Sequence, residues 1–209
     1  IEPISIERGA LLDALGRVLA SPIVSPLTLP AWDNSAMDGY ALRASDVAGA
    51  SDGAPVTLAV LETVAAGAFP TRDVEAGSCT RIMTGAPLPK GVDTVIRLED
   101  TDGGLERVAI RNDRDARRNV RFRGEDITTG TLVLDRGQPI GPAQIGVLAS
   151  MGASSVYVYR QPRVAFFGSG DEVVDLDRFS EVLDGKKIVT SNSYTLHALV
   201  RLTGGIPIN

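Results

Sequence analysis

The chain has one cysteine, one histidine and one tryptophan in 209 residues. A lone Cys79 excludes an intrachain disulfide and any cysteine-rich metal centre. With His197 the only imidazole, zinc held by the usual Cys/His sets is excluded as well. A metal in this chain would be a hard cation such as Mg²⁺, held by oxygens. One histidine also leaves no Ser-His-Asp arrangement to recognise. No apolar run is long enough to span a bilayer, and no basic-then-apolar segment of signal-peptide type opens the chain, so a cytoplasmic protein without a membrane partner is expected. The net charge of −5 argues against non-specific nucleic-acid binding, although Arg111, Arg114, Arg117, Arg118, Arg121 and Arg123 fall close together. His197 reads as a packing or surface residue of an amphipathic helix, and Cys79 as a small hydrophobe in a strand.

What is present suggests an α+β chain with more than one domain. Leu11, Leu12, Leu15, Val18 and Leu19 recur at helical spacing, and Pro22 and Pro26 end the predicted helix. Short β-type runs follow at Val56–Val60, Ser78–Met83, Thr94–Leu98 and Leu105–Ile110. Asp102-Gly103-Gly104 lies between two of them like a hairpin turn. A short strand is predicted at Thr131–Leu134, a helix at Pro142–Met151 and a strand at Ser155–Tyr159. These parts are expected to pack with the N-terminal helix, making one discontinuous domain around a β-rich insertion. From Arg163 the character changes. Val164-Ala165-Phe166-Phe167 reads as a strand buried on both faces, Tyr194–Val200 as a helix and Ile206–Ile208 as a second strand, the opening of an α/β unit.

Four polar clusters carry chemistry. The loop Asp33-Asn34-Ser35-Ala36-Met37-Asp38-Gly39-Tyr40-Ala41 gathers an Asn, a Ser and two carboxylates beside Trp32. An Asx-turn feeding a strand explains part of it, and a ligand-facing loop on a rigid scaffold explains the rest. Arg81 to Pro89 places Thr84 and Gly85 at a strand end, where a hydroxyl and a close backbone can meet an oxyanion. Arg121-Phe122-Arg123-Gly124-Glu125-Asp126 combines cations suited to phosphate with carboxylates. Gly168-Ser169-Gly170-Asp171-Glu172 follows the apolar strand, where open α/β sheets place ligands. Taken singly, each is also explained as a turn or a solvated charged loop.

In this order, the clusters resemble the molybdopterin molybdenumtransferase family, which includes bacterial MoeA and the E domain of gephyrin. The resemblance is carried by Leu15-Gly16-Arg17-Val18-Leu19-Ala20, Asp33 through Ala41, Arg81 through Pro89 with Gly91-Val92-Asp93-Thr94-Val95, Arg123-Gly124-Glu125-Asp126 and Gly170-Asp171-Glu172. The family's last loop usually reads Ser-Thr-Gly-Asp-Glu, and here Ser169 keeps the hydroxyl. The resemblance implies three parts. These are an elongated helix/strand domain I from 1–29 and 126–160, a β-rich domain II from 30–125, and at 161–209 the truncated start of a MogA-like α/β domain III that binds molybdopterin. It implies an enzyme of molybdenum cofactor biosynthesis that inserts molybdenum from molybdate into adenylylated molybdopterin, with Mg²⁺, releasing AMP. Asp38, Thr84, Asp126 and Glu172 are then the expected catalytic residues. Asp38, Asp126 and Glu172 are the expected metal ligands, and Ser35, Arg121, Arg123, Ser169 and Asp171 the expected substrate contacts. A homodimer with an active site shared between subunits is implied, with a molybdopterin adenylyltransferase as a further partner. The alternatives are a non-catalytic scaffold or receptor-binding relative of the gephyrin type, and a regulatory relative without catalysis. Molybdenum is not distinguished from tungsten.

Overall fold

The structure, a computed structural model, describes residues 2–208. Its strands and α-helices run β1 (Ile6–Ala10), β2 (Ile23–Val24), β3 (Asn34–Ser35), β4 (Gly39–Leu42), β5 (Val56–Val64), β6 (Ser78–Ile82), β7 (Thr94–Arg97), β8 (Arg107–Ile110), β9 (Val120–Arg121), β10 (Leu132–Leu134), α1 (Pro142–Ser150), β11 (Ser155–Tyr159), β12 (Arg163–Ala165), β13 (Val173–Val174), α2 (Phe179–Leu183), β14 (Ile188–Val189), α3 (Ser191–Leu202) and β15 (Ile206–Ile208). The fold is α+β, mostly strands with few helices. Two compact units divide it: Ser25–Thr131, and Ile1–Val24 together with Leu132–Asn209. Among the described residues no helix is long and apolar enough to cross a membrane.

The Ser25–Thr131 unit is built on a five-stranded sheet ordered β7-β4-β6-β5-β8, antiparallel except for the β5–β6 pair. All of β4 is buried. Successive side chains of a strand point to opposite faces, so Tyr40 and Leu42 join Leu58, Ile96, Val108 and Ile110 on one side. Ala41 joins Val64, Ile82, Ala86 and Val95 on the other. Gly39 opens the strand because a Cβ there would lie 2.0 Å from the carbonyl oxygen of Ile96 on β7. The close β4–β7 pairing therefore depends on a residue without a side chain.

The predicted hairpin takes a different form. β7 and β8 are opposite edges of the sheet. The chain leaves β7 through a 3₁₀ turn at Leu98–Asp100, and Thr101 then bridges to Ile110. Asp102-Gly103-Gly104 does reverse the chain, with the Asp102 carboxylate accepting from the amides of Gly104 and Ala109. It reverses it between Thr101 and β8, not between two neighbouring strands.

In the other unit β1 pairs with β11, and Ala14, Leu19, Ile140, Leu148, Val156 and Val158 form the core with α1. Pro142 starts α1, and the Gln144 side chain accepts from the Gly141 amide at 3.1 Å. The predicted N-terminal helix is not formed. Ile6–Ala10 is a strand, only Leu12–Ala14 makes a 3₁₀ turn, and Gly16 then takes φ +76°. Backbone pairing across the fold displaces helical hydrogen bonds: Gly16 donates to Ile140, Leu19 to Gln138 and Ala20 to Tyr157. Leu12 and Leu15 are left exposed. Tertiary pairing thus overrides an apolar spacing that fits a helix.

Further along, β12 pairs in parallel with β15, and β13 with β14. The expectation of a strand buried on both faces is not met. β12 has one neighbouring strand, Val164 is exposed, and Phe167 is 91% exposed. Two strands and a helix supply too little surface to cover both faces of a strand.

Candidate functional site

Three segments of the Ser25–Thr131 unit are laced together by backbone bonds. Ser35 donates its amide to Ala86 and accepts from Gly85, while Leu88 donates to Asp33. Strand β3 pairs with β9, Asn34 opposite Arg121 and Ser35 opposite Val120. Ala36 donates to Asn119, and the Arg123 amide donates to the Asp33 carboxylate at 2.7 Å. The first three predicted clusters therefore lie in one neighbourhood, anchored by short strands rather than held as free loops.

Asp38 and Thr84 meet directly. The amide and the hydroxyl of Thr84 both donate to Asp38 Oδ1, each at 2.7 Å. Those two bonds, the backbone one foremost, hold the Asp38 carboxyl below its ordinary range. Both residues are exposed, and Asp38 Oδ2 accepts no hydrogen bond among the described residues. In this arrangement the donors of Thr84 are spent on Asp38. Ser35 is nearly sealed from solvent, and its hydroxyl closes a local turn by donating to the Met37 carbonyl at 2.5 Å. Its hydroxyl is thus a strut of the loop.

Arg121 is gripped by two carboxylates, Nε on Glu125 at 2.5 Å and Nη2 on Asp126 at 2.7 Å, and these bonds raise its pKa, Glu125 contributing most. Asp126 therefore shares the Arg121 cation with Glu125. Arg123 donates from Nε to the Ala31 carbonyl and forms no ion pair among the described residues. In the other unit Glu172 folds back on Gly170, where an added Cβ would lie 2.7 Å from its carboxylate. Lys187 reaches the Asp171 carbonyl at 2.5 Å. Asp171 and Glu172 follow the end of β12, as predicted, and Ser169 lies in the same loop.

The residue pattern gave no sign of two features. Arg117 and Asn119 take positive φ, +58° and +61°, rare for residues other than glycine. They form a turn that presents Arg117 and Arg118 to solvent without ion pairs among the described residues. Beneath it the Arg97 guanidinium grips Asp115 with two bonds of 2.7 and 2.8 Å, which holds the buried carboxyl below its usual range. The second is a 540 Å³ pocket walled by Trp32 and Phe69, reaching Arg123.

Among the described residues no three His, Cys, Asp or Glu side chains gather to hold a metal. Mg²⁺ commonly needs only one or two carboxylates beside phosphate oxygens and water. The free Oδ2 of an ionised Asp38 suits that kind of site. As expected, Cys79 is buried in β6, its thiol pushed up to about 12 by burial, and is not a nucleophile.

The β-rich unit of this α+β chain thus displays an ionised, exposed aspartate locked to a threonine. The chain belongs to the MoeA family: the family model of the MoeA N-terminal region (domain I and II) matches residues 1–152. It is 41% identical over 194 residues to molybdopterin molybdenumtransferase 2 of Mycobacterium tuberculosis, covering 93% of this chain and 47% of the relative. It is 42% identical over 195 residues to the molybdopterin molybdenumtransferase of a Nostoc species, covering 93% and 44%. A crystal structure of the molybdopterin biosynthesis moeA protein of Pyrococcus horikoshii OT3 superposes with a TM-score of 0.87 at 33% identity, over 98% of this chain and 54% of that one. The chain spans about half the length of the curated relatives it matches.

Proposed function

We propose that the complete protein is a molybdopterin molybdenumtransferase of molybdenum cofactor biosynthesis. It takes adenylylated molybdopterin and molybdate, the phosphoanhydride is cleaved, AMP leaves, and molybdenum passes to the dithiolene sulfurs. The observation that carries the reading is the Asp38–Thr84 pair, in a chain matched by molybdenumtransferases along 93% of its length. Asp38 is ionised at neutral pH, and Oδ2 is the oxygen it offers to a cation. A Mg²⁺ ion bound there would neutralise charge at the substrate phosphates. Thr84 fixes the direction of that carboxylate. Arg121 and Arg123 are the phosphate-facing cations, and Asp126 with Glu125 keeps Arg121 in place until an anion competes for its planar fork.

On the same reading the chain comprises domains I (1–29 and 126–160) and II (30–125) and, at 161–209, the start of a MogA-like α/β domain III carrying Ser169, Asp171 and Glu172. Among the described residues the core of Ala14 through Val158 has no member beyond β11, which supports a boundary near residue 160. The family resemblance, not the geometry of one chain, supports a homodimer with a shared active site and a molybdopterin adenylyltransferase as supplier of substrate. The test is AMP release and molybdenum insertion by the complete protein with and without Mg²⁺. Insertion that proceeds at full rate after exhaustive removal of divalent cations would overturn the metal assignment.

A further inference from the structure

We propose that the Trp32–Phe69 pocket binds a planar heteroaromatic ring carrying a phosphate. The rings of Trp32 and Phe69 meet edge to face, centroids 5.1 Å apart at 68°, yet Trp32 remains 41% and Phe69 61% exposed. Ring surface of both is left facing the 540 Å³ space, a size typical of small-ligand pockets. Three cations, Arg72, Lys90 and Arg123, line the same space, outnumbering its two carboxylates, Asp33 and Asp73, of which Asp33 already accepts from the Arg123 amide. None of the three cations forms an ion pair among the described residues. Two of them are held in place by their backbones. Glu62 accepts from the amides of Thr71 and Arg72, and Asp33 accepts from the amide of Arg123. Among the described residues the guanidinium of Arg123 is anchored only through Nε, at 3.1 Å to the Ala31 carbonyl, which leaves both terminal nitrogens for a ligand. Exposed aromatic faces stack on flat rings, and unpaired guanidinium and ammonium groups take phosphate.

Both ends of adenylylated molybdopterin carry this chemistry, so the inference deepens the reading above and in its choice of ligand rests on it. Binding is measured without turnover, so the two can fail separately. The chain is titrated by calorimetry with AMP, with 6-hydroxymethylpterin phosphate, with adenosine and with inorganic phosphate. Emission from Trp32, the only tryptophan, is followed for AMP. Saturable binding of at least one ring phosphate is expected, and whichever binds names the source. Lys90→Ala and Arg123→Ala should each raise Kd about tenfold, and Phe69→Ala should raise it by a similar factor, about tenfold. These side chains are exposed or line open space, so the melting temperature serves as a control for folding. The proposal is overturned if neither ring phosphate binds. It is equally overturned if inorganic phosphate binds as tightly as they do, or if all three variants bind like the parent.

Discussion

Thr84 spends its amide and its hydroxyl on one oxygen of Asp38, so a carboxylate in an exposed loop is both ionised and oriented. The folded pKa lies below the unfolded one. The stability it contributes is therefore complete above the unfolded value of about 3.9 and is lost as pH falls through the depressed folded value. A carbon-detected NMR titration should find Asp38 titrating below an ordinary aspartate, and Thr84→Val should move it back up by removing the hydroxyl bond. An Asp38 that titrates at or above the ordinary value contradicts the pairing. Asp115 is the buried counterpart, 2% exposed and doubly bonded to Arg97. Asp115→Asn removes the charge under the Arg117–Asn119 turn and should cost about 2 kcal/mol in denaturant unfolding at neutral pH. The loss should shrink as the parent is acidified through the depressed pKa of Asp115.

At the scale of elements, β4 and its pairing with β7 decide whether the site loop has a scaffold. Gly39→Ala would place a methyl 2.0 Å from the Ile96 carbonyl, and a displacement of that size should destabilise the unit by about 3 kcal/mol. Unfolding by urea measures it, and a change indistinguishable from zero would mean that β4 and β7 can part without cost. The elements legible in the residue order were those whose signals are local. β6, β8 and β11 carry β-branched residues in alternation, β5 is a run rich in Val, Thr and Leu, and α1 begins with proline. The polar loop at Asp33–Ala41, the threonine turn and the arginine turn were legible as site candidates because so many polar groups have no packing reason to lie together. What was not legible depends on distant partners. The apolar spacing of Leu11 to Leu19 fits a helix until Ile140, Gln138 and Tyr157 claim its backbone. Burial of Val164 to Phe167 requires cover that β15 and α3 do not supply. Thr84 was read as an oxyanion donor, a role that assumed free donors, and its link to Asp38 spans 46 positions. The pocket joins Trp32 to Phe69 and Arg123, which no spacing rule connects.

For the whole molecule, the dimer proposal is testable by complementation in the complete protein. A chain with Asp38→Ala mixed with one bearing Glu172→Ala should regain part of the activity if heterodimers assemble one undamaged shared site. No recovery, with heterodimers verified, rules the shared site out. In the proposed reaction Asp38, oriented by Thr84, serves molybdenum insertion. The most direct measurement of that role is molybdenum insertion and AMP release by the complete protein carrying Asp38→Ala, at saturating adenylylated molybdopterin, molybdate and Mg²⁺. The expected result is an insertion rate lowered at least about a hundredfold, as for loss of a group that positions or stabilises charge in the reaction. The melting temperature should stay near that of the parent, because the side chain is exposed. Insertion at the parent rate, in a variant verified as folded and dimeric, would contradict that role.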